Sequence, residues 1–151
     1  MTPARWAAAV IAIAAGVAAA DPAPAPGWEV RIPDKLDVPA GSAGTLPIAI
    51  SVDRGLVISR DAQLIVDLDP SAGSGSGGLL IKRRRLGRAD AVDPEADEPR
   101  FAVPVRADAE AAGDHAVAVR VRFWLCGSRV CRPIDVQRKV AVSVALPTPQ
   151  P

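Results

Sequence analysis

The sequence predicts an all-β sandwich of about seven or eight short antiparallel strands, and three observations carry that reading. Apolar residues recur at every second position in several runs, of which Thr45–Val52 and Ala116–Cys126 are the clearest. Turn residues separate the runs at spacings of about 8–12 residues, as a sandwich requires. After Ala20 no segment has helical periodicity.

Met1–Ala20 reads as a secretory signal. Arg5 supplies the positive start, Trp6–Val17 the apolar stretch, and Ala18–Ala20 an A-x-A cleavage site before Asp21. The apolar run is short for a membrane helix, which needs roughly 20 residues, so no stable span is expected in the mature chain. The destination is the periplasm or the exterior. Asp21–Gly27, DPAPAPG, is a proline-rich spacer. One domain follows, expected over 28–146, with a short tail at 147–151.

Within the domain, Trp28, Val30 and Ile32 alternate with charged residues until Pro33. Leu36 and Val38 precede the turn Pro39–Gly44, and Leu46, Ile48, Ile50 and Val52 mark a half-buried strand. A short extended piece is expected at Leu56–Ser59, and a strand through Leu64, Val66 and Leu68. Ser71–Gly78 has the composition of a loop. Leu79–Ile81 then leads into the basic run Lys82–Arg85, with carboxylates at Asp90, Asp93, Glu95, Asp97 and Glu98 soon after. Charges so interleaved read as a solvated edge, since nearby carboxylates cancel the field that phosphate binding needs, and no nucleic-acid partner is expected. Phe101, Val103 and Val105 form a further strand, and Pro104 on its opposite side suggests an edge position.

The last two strands flank the only cysteines. Folding them together with Cys126 opposite Cys131 sets Phe123 against Ile134, Val121 against Val136 and Val117 against Val140, while Arg122 meets Asp135 and Arg120 meets Gln137. Arg138 opposite Val119 is the exception. A slip of one residue would turn the core face to solvent, so one register satisfies both faces. The cysteines then stand on the polar face, partly exposed and close enough for a disulfide, which an exported chain with two cysteines favours. Closing so short a loop stabilises by only about 2 kcal/mol.

Few other residues offer chemistry. His115, read as a turn residue at the start of its strand, lies roughly 35 Å along an extended chain from Cys126, which removes it as a base or as a metal partner. The carboxylates form no recognisable motif, and neither a cofactor nor a metal is expected. For Cys126 and Cys131 two readings stand. One is a structural bridge at a hairpin tip. The other is an exchange site, in which Arg122, Arg129 and Arg132 supply the positive charge that favours a thiolate.

The stretch FWLCGSRVCRPI, with AGDH before it and an apolar strand after it, resembles the N-terminal domain of the thiol:disulfide interchange protein family DsbD. Similar segments occur in the C-terminal β-domain of some thioredoxin-like NHL-repeat proteins. Gly113, Phe123, Trp124, Cys126, Cys131 and Pro133 stand at matching places, and RLGRAD and EPRFAVPV extend the likeness over roughly Trp28–Leu146. The resemblance implies an immunoglobulin-like sandwich in the periplasm, with Cys126 and Cys131 as a redox pair and Cys131 as the attacking thiol. Trp124 and Pro133 would support the pair. Partners would be thioredoxin-like or membrane electron-transfer proteins. The alternative is a redox-inert, immunoglobulin-like protein-binding domain whose hairpin disulfide is structural.

Overall fold

The computed structural model describes residues 27–72 and 77–147. The signal peptide, most of the spacer, the middle of the Ser71–Gly78 loop and most of the tail lie outside these residues.

Ten strands form two sheets. They are β1 Trp28–Arg31, β2 Lys35–Pro39, β3 Ala43–Val52, β4 Val57–Ile58, β5 Ile65–Asp69, β6 Leu79–Leu80, β7 Arg85–Leu86, β8 Arg100–Ala107, β9 Gly113–Cys126 and β10 Cys131–Ala145. Two 3-10 turns, Pro70–Ala72 and Arg88–Asp90, are the remaining regular elements among the described residues. The expected seven or eight strands become ten: the short extended piece expected at Leu56–Ser59 is the two-residue β4, and β6 and β7 are two-residue pairings too short to show a period.

One sheet runs β1-β3-β8-β6, and the other β2-β10-β9-β5-β7, with β4 on β9. Counting β1 and β2 as one split first strand gives the A-B-E-D and G-F-C orders of an immunoglobulin-like sandwich. The split corrects the all-antiparallel expectation. Pro33 ends β1, the chain crosses to the other sheet, and β2 pairs in parallel with the end of β10, Lys35 against Ala141 through Pro39 against Ala145.

The core is the apolar half of each alternation. Leu46, Ile48 and Ile50 face Val117, Val119, Val121, Phe123 and Leu125, and all are almost fully buried. The ring of Trp28 meets Phe123 edge to face, with centroids 6.1 Å apart. The β9–β10 ladder has the expected register from Cys126↔Cys131 to Gly113↔Val144 without a bulge. Arg138, at an inward register position opposite Val119, is exposed. Its guanidinium turns to the open edge of β10 and donates to the Gln137 carbonyl at 3.0 Å. His115 is a correction: it sits inside β9 opposite Val142 and is buried, its Nε2 2.5 Å from the Ala111 carbonyl oxygen.

The edge position expected for the Phe101–Val105 strand is corrected: β8 lies between β3 and β6, and Pro104 falls where its outer side is unpaired. Ile50 N–H donates to the Pro99 carbonyl and Ala107 N–H to that of Ser42, a phase that turns the backbone of Ala102 and Pro104 away from β3. On that outer side β6 pairs only with Arg106 and Ala107. Proline therefore removes a donor where the ladder has no partner strand to lose.

Candidate functional site

The tip of the β9–β10 hairpin carries a disulfide between Cys126 and Cys131, with alpha carbons 4.0 Å apart. The Gly127 N–H donates to the Val130 carbonyl at 2.9 Å, closing the hairpin loop and fixing the phase of the ladder. That phase makes Cys126↔Cys131 a non-hydrogen-bonded pair, in which facing alpha carbons come closest. The bridge is therefore a consequence of register.

The two cysteines have unequal surroundings. Cys126 is half-buried because β4 lies along its other side, Val57 opposite Cys126, and the Ser59 N–H donates to the Trp124 carbonyl at 2.9 Å. Cys131 is exposed, since β2 joins β10 only from Ala141 onward and no described strand flanks β10 before that. Its neighbour Pro133, opposite Trp124, is exposed too.

Three large exposed apolar side chains surround the bridge: Trp124 at 42%, Val57 at 55% and Val130 at 71% exposure. Trp124 and Val57 share the outward face of the sheet with the cysteines, and Val130 stands in the hairpin loop. Trp124 was foreseen beside the pair. The contribution of β4 was not, because Val57 meets Cys126 across about seventy residues of chain and a two-residue strand leaves no periodic trace.

Next to this apolar end the same face carries an ion-pair ladder. Asp67 on β5 accepts from Arg85 at 2.7 Å and from Arg122 at 2.6 Å. Arg120 forks onto Asp135, with a closest approach of 2.5 Å. The register places Arg122 opposite Asp135 as expected, yet the ion pairs run diagonally. Asp67 stands opposite Arg120, one step from Arg122, and takes the latter. Arg85, followed by Arg122, holds the Asp67 carboxyl below its usual value against the opposing effect of burial. Arg120 lowers that of Asp135 in the same way. Arg122, the cation on the cysteine face, is thus already neutralised. Arg129 and Arg132 are exposed, the first in the hairpin loop and the second just past Cys131.

The depressed pKa of Asp67 fixes the sign of a pH effect. A carboxylate whose folded pKa is lowered adds stability above its unfolded pKa and loses it as pH falls through the folded one. Asp67→Asn is expected to cost on the order of 1 kcal/mol at pH 7. Urea unfolding of both proteins at pH 7 and pH 2.5 checks this: the gap between them should shrink in acid, and a gap that is constant with pH rules the ion pairs out as its source.

The other charges resolve differently from the simple cancellation expected of the basic and acidic runs. Arg83 pairs with Asp90, but Glu95 and Asp97 pair with Arg60, 3.1 and 3.2 Å away. Among the described residues no group of three or more His, Cys, Asp or Glu is placed to hold a metal ion. No helix among them is long and apolar enough to cross a membrane.

No protein-family model and no curated protein sequence matches the chain. Among solved structures it is similar to murine CRIg, at 6% identity over 78% of this chain and 98% of that one, with a TM-score of 0.40. It is also similar to the CooA pilin subunit from enterotoxigenic Escherichia coli, at 12% identity over 80% of this chain and 99% of that one, with a TM-score of 0.36. At these scores neither likeness carries an argument. The sandwich assignment rests on the strand order above, which defines the class of protein as a β-sandwich with one disulfide at a hairpin tip.

Proposed function

We propose that the domain is an exported, periplasmic thiol–disulfide exchange module that cycles Cys126 and Cys131 between disulfide and dithiol. The observation that carries this reading is the exposed Cys131 on an unpaired strand edge, with Trp124, Val57 and Val130 exposed at the same end. Disulfide exchange needs access to one sulfur and a surface on which a partner can dock, and a bridge buried between sheets would offer neither. In the exchange a thiolate of a partner dithiol attacks the Cys131 sulfur and forms a mixed disulfide, and Cys126 leaves as thiolate. The second partner thiol then closes the partner's own disulfide and releases Cys131. The partner is oxidised by two electrons, and the pair gains them. Suitable partners are a thioredoxin-like domain or a membrane electron-transfer protein, in line with the resemblance to the DsbD family.

One observation favours the second reading, a redox-inert protein-binding domain with a structural bridge. Arg122 is committed to Asp67 and does not stand free to stabilise a thiolate. The reduction potential of the pair, measured by equilibration with glutathione buffers, separates the two. Exchange predicts a value between roughly −120 and −270 mV, and a value below about −300 mV overturns it.

A further inference from the structure

Away from the disulfide, a groove of about 440 Å³ opens beside β8. It lies where β6 ends and the outer edge of β8 is no longer paired, facing β7 of the other sheet. Ile81, Leu86 and Val103 form its buried lining, with Ala102 and Pro104 along the edge. Leu80 stands at its margin, 46% exposed. Volume and lining are those of a small-molecule site.

The polar rim is positive. Lys82 and Arg106 border the groove, and among the described residues neither makes an ion pair. The one carboxylate in the lining, Asp90, is occupied: Arg83 pairs with it, and its Oδ2 accepts the Gly87 N–H at 2.9 Å. An apolar trough with two uncommitted cations complements an apolar chain with an anionic end. Strand addition by a peptide fits poorly, because between residues 101 and 105 only Ala102 turns an N–H outward and Pro104 has none. A second copy pairing β8 against β8 would also bring the Arg100 and Arg106 ends of the two strands together.

We propose that this groove binds a small amphiphilic anion, an alkyl chain ending in a carboxylate. Its apolar part lies along Leu80, Ala102 and Pro104, over a floor of Ile81, Leu86 and Val103, and its charge lies between Lys82 and Arg106. The site is separate from the disulfide and does not depend on its chemistry.

Titration of the isotope-labelled protein with hexanoate, octanoate and decanoate, each kept below micelle-forming concentration, tests this by amide chemical shifts. The expected result is a set of shifts confined to Leu80, Ala102, Val103, Arg106 and their neighbours, with affinity rising about fourfold per added methylene. Lys82→Glu with Arg106→Glu, both exposed, should leave the rest of the spectrum in place and weaken decanoate about tenfold. Shifts absent from the groove, or equal affinity for decanoate and decylammonium, overturn the proposal. So does an acidic extended peptide that shifts Ala102 where decanoate does not.

Discussion

Truncating Phe123 to alanine is expected to remove about 3–5 kcal/mol of stability, a large part of what a domain of this size possesses. Phe123 is almost wholly buried in β9, lies opposite Ile134 and receives the edge contact of Trp28. Few neighbours can collapse into the space it would leave, because β3 and β8 on the far side are held in their own ladder. Chemical denaturation should show the midpoint falling with little change in slope. A loss under 1 kcal/mol would mean that the two sheets pack less closely here than the burial indicates.

The second large effect concerns Cys126→Ser. With the inner sulfur gone, Cys131 remains on its open edge as a free thiol. Its thiolate attacks the disulfide of an oxidised partner, one partner sulfur leaves as thiolate, and this domain has no second thiol to resolve the mixed disulfide. The variant is expected to accumulate a covalent adduct with an oxidised thioredoxin-like probe, seen as a reducible band. Cys131→Ser, whose remaining sulfur is flanked by β4, should do so at least about tenfold more slowly, in line with its poorer access. Equal trapping by both variants would remove the asymmetry, and trapping by neither would remove the exchange reading. Loss of the bridge itself costs only about 2 kcal/mol for so short a loop, so both variants should stay folded. Circular dichroism checks that.

The hairpin was legible because the pairs from Cys126↔Cys131 to Val117↔Val140, Arg138 opposite Val119 excepted, had to satisfy two faces together, and the register falls where alternation puts it. The disulfide and its partial exposure followed from the same alternation. What stayed hidden were contacts made between distant segments by very short elements. Asp67 captures Arg122 from fifty-five residues away, and Val57 covers Cys126 through a two-residue strand. Neither has a local pattern to betray it. His115 was misread for another reason. Alternation counted back from Val117 places it inward, but a lone histidine near Gly113 and Asp114 has the composition of a turn.

The parallel pairing of β2 with β10 has a consequence for the order in which the molecule assembles. Lys35–Pro39 cannot find its partner until Ala141–Ala145 has emerged, whereas β9 and β10 meet across a four-residue loop. Loop closure makes the local pairing early and the distant one late. A chain that emerges from its N-terminus thus holds one flank of the sandwich unfinished until Ala145 has arrived. The cysteines come together during that interval, when the hairpin is formed and the first sheet-crossing segment is still waiting.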